Sequence, residues 1–137
     1  MIKIIASQKG QGKTKQLIAL ANEAVNRTDG HLVFIDDDKR HMFDLHHDIR
    51  FVDTTSFPLS NYRELVGFIC GILSQNSDIK EIFLDGVGNI VKNFDNDALL
   101  KLLKKLEMLS GLNSVDFIFT INSDPDNLPE EAKGYLV

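Results

Sequence analysis

The sequence predicts an α/β fold, a three-layer sandwich in which a mostly parallel sheet carries helices on both faces. Three observations predict it. Short apolar runs alternate with helix-period segments along the chain. The runs are apolar at nearly every position rather than every second one, as in parallel strands buried on both faces. The polar residues that carry chemistry fall where those runs end, and parallel α/β sheets bind ligands at the carboxyl ends of their strands. At 137 residues, the chain is expected to form one domain, residues 1–137, long enough to bury a core.

Each element has its own signal. Residues 2–6 are short, apolar and β-branched and predict the first strand. Over residues 13–27, Leu17, Ile18, Leu20, Ala21, Ala24 and Val25 recur at the spacing of one helix face, and Asp29-Gly30 ends it. Residues 31–36 predict the second strand, which runs into Asp36, Asp37 and Asp38. Residues 39–47, with Met42, Phe43 and Leu45, predict a short helix, and Arg50-Phe51-Val52 a small edge strand. Pro58 marks a loop, with Ser60 or Asn61 as the N-cap of a helix over 61–76. That helix presents Leu65, Phe68, Ile69, Ile72 and Leu73 on one face, and Cys70 is expected as a small core residue within it.

Residues 81–85 predict the third strand, again ending in a carboxylate, with Gly86 and Gly88 loosening the backbone after it. In 96–110, Leu99, Leu102, Leu103 and Leu106 form a stripe. It is too short for a zipper and predicts core packing. Residues 115–121 predict the fourth strand, followed by Asn122 and Ser123. The acidic stretch 124–131 is expected as a solvated loop, and 135–137 as a short last strand.

Composition narrows the partners. Hydrophobic residues make up 43% and charged residues 26%, a globular balance. The net charge of −5 offers no general attraction for nucleic acid or anionic membranes, so neither is expected as a partner. No apolar run reaches the ~18 residues of a membrane span. A single cysteine excludes a disulfide within the chain. Together these predict a cytoplasmic protein.

The most informative stretch is Ser7-Gln8-Lys9-Gly10-Gln11-Gly12-Lys13-Thr14. Strand, glycine-containing loop, Lys-Thr and helix form the layout of a phosphate-binding loop. Successive backbone N–H groups curl around phosphate oxygens, and a helix N-terminus adds its positive end. Gly12 permits the close approach, Lys13 supplies charge to the outer phosphates, and the Thr14 hydroxyl suits magnesium. The strict pattern has glycine at the first position, where this chain has Ser7. A nucleoside triphosphate such as ATP, with Mg2+, is therefore the expected ligand. Asp85 is expected as the carboxylate that joins Thr14 on the metal; its plainer alternative is to cap the following turn. His41, His46 and His47 lack a matched ligand partner, and no metal site is expected there. Arg40, Arg50 and Arg63 are either phosphate contacts or ordinary surface residues, and the second is expected.

Beyond the loop, the chain resembles RecA-type ATPases of the P-loop NTPase superfamily. In that family a hydrophobic strand ends in Asp-x-Glu, and Leu32-Val33-Phe34-Ile35-Asp36-Asp37-Asp38 looks similar. The segment Ile82-Phe83-Leu84-Asp85-Gly86-Val87 is similar to the family's magnesium strand, and Phe119-Thr120-Ile121-Asn122-Ser123 to its fourth strand, which ends in Asn-Gln. The resemblance runs from residue 2 to about 123. It implies the strand order 5-1-4-3-2, with Asp38 as the carboxylate that polarises water and Asn122 and Ser123 as the pair that senses the terminal phosphate.

Two departures bear on rate. Asp38 stands where glutamate is expected, ~1.5 Å shorter, and Ser123 where glutamine is expected. The family's N-terminal assembly segment and longer DNA-binding loops have no counterpart here. The chain also resembles small stand-alone bacterial P-loop proteins sometimes labelled twitching-motility (PilT-type) ATPases.

The resemblance thus implies magnesium-dependent ATP binding with weak or partner-dependent hydrolysis, by a nucleotide switch or ATPase subunit that works with a protein partner or as a homo-oligomer. A small-molecule kinase and a non-catalytic nucleotide- or partner-binding module are the alternatives.

Overall fold

The computed structural model describes residues 1–137. Five strands form one sheet: β1 (Ile2–Ser7), β2 (His31–Asp36), β3 (Ile49–Asp53), β4 (Ile79–Asp85) and β5 (Asp116–Asn122). Every pairing is parallel, and the order across the sheet is β1-β5-β4-β2-β3. The helices are α1 (Lys13–Arg27), α2 (Tyr62–Gln75), α3 (Val87–Ile90), α4 (Asn96–Asn113) and α5 (Glu130–Lys133).

The period of two within each strand sorts its side chains between two cores. Ile5, Leu32, Phe34, Phe83 and Ile118 face α1 and pack on its Leu17, Ile18, Ala21 and Ala24. Their neighbours Ile4, Val33, Ile35, Ile82, Leu84, Phe117 and Phe119 face the other way, in a larger core with α2 and α4. The α4 stripe of Leu99, Leu102, Leu103 and Leu106 lies in this core, extended by Leu109. Each such leucine stabilises the fold by about 2 kcal/mol relative to an exposed one. Caps fix where the long helices start. The Asn61 side chain accepts the Glu64 N–H at 3.0 Å, and the Glu64 carboxylate accepts the Ser60 N–H. Asp95 accepts the Ala98 N–H at the start of α4.

Several expectations are corrected. The order 5-1-4-3-2 gives way to β1-β5-β4-β2-β3, because two segments differ from their expected weight. Residues 49–53 form a complete edge strand and take third place in the chain. Residues 135–137 contribute one parallel bridge, Ile4 with Leu136, held by two backbone hydrogen bonds. That bridge is isolated and adds no strand to the sheet. The short helix expected over 39–47 is a single 3-10 turn, Met42–Asp44, because its Phe43 is exposed and gives a helix nothing to pack against. Cys70 faces solvent, one position round α2 from the buried Ile69. The stretch 124–131 is not a solvated loop. It contains a 3-10 turn and enters α5, which bury Leu128 and Ala132 in the larger core. No helix is long and apolar enough to cross a membrane.

Candidate functional site

The site lies where β1, β2, β4 and β5 end and α1 begins. Gly10 and Gly12 both hold left-handed backbone conformations, φ 86° and 83°. An L side chain there costs about 1–2 kcal/mol, so glycine at these two positions sets the curl of the loop. Gly12 leads into α1 without any side-chain cap. The first N–H groups of this 15-residue helix are therefore left for another acceptor.

The same parity that builds the α1-side core delivers the polar groups. Asp36 follows Phe34, Asp85 follows Phe83, and Thr120 follows Ile118, each by two residues, so all three face α1. Asp36 and Asp85 are register partners on adjacent strands, and Ser7 pairs with Asn122. The result is a cleft of about 390 Å3 lined by no hydrophobic side chain.

Asp85 is the best-connected group. The Thr14 hydroxyl donates to its Oδ2 at 2.9 Å, and the Thr120 hydroxyl donates to its Oδ1 at 2.8 Å. The Gly86 N–H in turn donates to Thr120 Oγ1 at 2.7 Å, which fixes the hydroxyl's direction. Lys13 is largely buried, and its Nζ donates to the Gln8 carbonyl at 3.0 Å. Burial lowers its pKa, and the Asp85 charge opposes that shift.

Asp36 is only 3% exposed and Asp85 8%. Asp36 Oδ1 accepts the Asp38 N–H at 3.2 Å. Burial, followed by the Asp85 charge and by Asp37, pushes the Asp36 carboxyl up to about 8. Asp38 differs in kind. Its carboxylate accepts the Arg40 N–H at 2.8 Å and the Arg40 Nε–H at 2.6 Å. Those hydrogen bonds hold it below the usual carboxylate range.

Of the residues singled out in the sequence, Lys9, Gly10, Gly12, Lys13, Thr14, Asp36, Asp37, Asp38, Arg40, His41, Asp85, Gly86 and Asn122 line this cleft. Ser7, Gln8, Gln11 and Ser123 do not. Gln8 contributes its carbonyl to Lys13. Ser123 sits beside a neighbouring pocket with Phe94 and Leu128, and its hydroxyl donates to the Asp124 carbonyl at 3.2 Å. Its N–H donates to the Ser7 carbonyl and ties the two loops together.

Sequence reading missed Thr120, Asn89 and Lys15, all of which line the cleft. Thr120 carried a usable signal, since a lone hydroxyl in an apolar strand, two residues before Asn122, shares its face. Outside the cleft, His46, His47 and Asp48 bring their ligand atoms within 4.8 Å of one another on a loop. His46 and His47 are stacked at 4.3 Å, and the Asp48 N–H donates to His46 Nδ1.

Amid the basic side chains of the cleft, Thr14, Thr120, Asp36 and Asp85 offer hydroxyl and carboxylate oxygen, the chemistry of a hard divalent cation. Thr14 and Asp85 fit such an ion because they already meet. Compared with known proteins, the chain matches no family model and no curated sequence.

Proposed function

We propose that the protein binds a nucleoside triphosphate such as ATP together with Mg2+, as a RecA-like P-loop NTPase that acts as a nucleotide switch or an ATPase subunit. One observation carries this reading: the uncapped start of α1 brings Lys13 and Thr14 into one polar cleft, with Thr14 bonded to Asp85. The side-by-side run β1-β5-β4-β2 supports the fold family.

In this reading the loop N–H groups and Lys13 bind the phosphates. Thr14 and Asp85 would hold the magnesium, which when bound neutralises phosphate charge. Thr120 orients Asp85 through its hydroxyl. Asn122 meets the terminal phosphate. Asp38 orients a water; in the ligand-free structure its carboxylate accepts from Arg40. Position dominates phosphoryl transfer. A carboxylate one methylene shorter than glutamate makes hydrolysis slow, or dependent on a protein partner or a second copy. The acidic net charge argues against nucleic acid as that partner.

Thermal unfolding with and without MgATP tests the binding. Wild type should show a saturable rise in Tm, and Lys13→Ala should abolish it. Asp38→Ala should keep the rise and lose any turnover. No rise for wild type with MgATP or MgGTP sinks the proposal.

A further inference from the structure

Arg40 is the one arginine that lines the cleft, beside three lysines. Its position is set by the floor of the site. Asp36 anchors the loop by accepting the Asp38 N–H. Lys39 turns the other way, with its Nζ 3.8 Å from Asp53 at the end of β3. Asp38 and Arg40 both line the cleft, as do Asp37 and His41 on the same loop. The guanidinium is 81% exposed and uses only Nε on Asp38, so its outer N–H groups are free for a second acceptor.

Two acceptors therefore compete for one fork. A solvent-exposed Asp–Arg pair is weakly held. A phosphate carries more charge and takes the fork in two parallel bonds. We propose that Arg40 contacts and reads the terminal phosphate. Without nucleotide it holds the Asp38 carboxylate; with a triphosphate in the cleft it passes to the phosphate and leaves Asp38 free to accept from water. This rests on the nucleotide reading above. It adds that the choice between triphosphate and diphosphate is made by Arg40, and that Asp38 opposes it.

Opposed signs make the test sharp. Affinities of the full-length protein are measured by titration calorimetry for MgADP and for the magnesium complex of adenylyl imidodiphosphate, which cannot be hydrolysed. Arg40→Ala should weaken the triphosphate analogue by about tenfold, the scale of one charge-assisted hydrogen bond, and MgADP far less. Arg40→Lys should recover only part of the loss, since a point charge replaces the fork. Asp38→Asn should tighten the analogue in the wild-type background. In the Arg40→Ala background that gain should shrink, because no arginine remains to release.

Equal loss for analogue and MgADP, or an Asp38→Asn gain of the same size in both backgrounds, overturns the proposal while leaving nucleotide binding intact. If wild type binds neither probe, the nucleotide reading itself fails and this inference falls with it. Arg40 is exposed, so the variants should fold, and a thermal melt of each confirms it.

Discussion

The two ends of the sheet treat a buried acid in opposite ways. At the amino end, Glu81 at the start of β4 is buried, and Arg27 from the last turn of α1 grips it with two bonds, 3.0 and 3.1 Å. At the carboxyl end, Asp36 and Asp85 lie side by side in register, and no arginine reaches either. Lys13 is near, but its Nζ is turned to the Gln8 carbonyl. The same helix thus starts beside two buried acids and finishes on one that the chain itself neutralises. Buried charge is expensive unless paired. The chain answers that cost where nothing needs to bind, and leaves it open where a cation would answer it. The first end adds stability; the second, on the function proposed above, keeps its acids for a ligand.

The largest expected effect comes from removing charge at the open end. The Asp36 carboxyl rises from 3.8 to about 8 on folding, so the folded state holds a proton that the unfolded chain gives up. Stability from this group therefore falls as pH climbs from about 4 to about 8, by at most ~1.4 kcal/mol per pH unit. It levels off above that window. Asp36→Asn keeps the oxygen that accepts the Asp38 N–H and cannot ionise. In metal-free protein it should be more stable than wild type by a few kcal/mol at pH 8, with little difference at pH 4. Urea denaturation across the range reads this directly, and a difference that does not change with pH would show that Asp36 is not poised as described.

The closed end should respond with the opposite sign. Arg27→Ala leaves Glu81 buried without its partner and should cost about 2 kcal/mol. The loss is less than for a fully buried pair because Arg27 is half exposed and water replaces part of it. Nucleotide affinity should not move, since Arg27 lies at the far end of α1. A loss of binding at full stability would break the division between the ends. Smaller again is Thr120→Val. It removes one donor from Asp85 and leaves the Gly86 N–H without its acceptor, at about 1–2 kcal/mol. The urea midpoint should fall with an unchanged slope.

How much of this was legible in the sequence depends on the kind of signal. Strands and long helices were read well, because a fully apolar run or a helix-period stripe needs no partner to be recognised. The cap of α2 was narrowed to Ser60 or Asn61 for the same local reason, and the structure selects Asn61. Strand order was misread, because the weight of an edge segment depends on what it pairs with, and 49–53 and 135–137 look alike until β2 and β1 take them up. Lys13 and Thr14, expected together from the loop, and Asp85, expected from its strand end, line one cleft. Thr120 was passed over because a threonine in a strand is ordinary until register places it beside Asp85. Arg40 was set aside as a surface residue, which by exposure it is. Its pairing with Asp38 and its place in the cleft distinguish it from Arg50 and Arg63.

Arg40 supplies the smallest stability effect and the closest contrast with Arg27. Both arginines bond a carboxylate at one end of the same sheet. Arg27 faces an acid that water cannot reach, so its loss strands a charge. Arg40 faces Asp38, which remains in contact with solvent, so water takes over when the guanidinium is removed. Arg40→Ala should therefore unfold in urea at the same midpoint as wild type, while Arg27→Ala unfolds well before it. In nucleotide titrations the ranking should invert, with Arg40→Ala impaired and Arg27→Ala unaffected. Measuring both variants in both assays compares the two ends within one fold. If Arg40→Ala proves as destabilising as Arg27→Ala, the Asp38–Arg40 pair is part of the scaffold and cannot serve as a contact that a phosphate displaces.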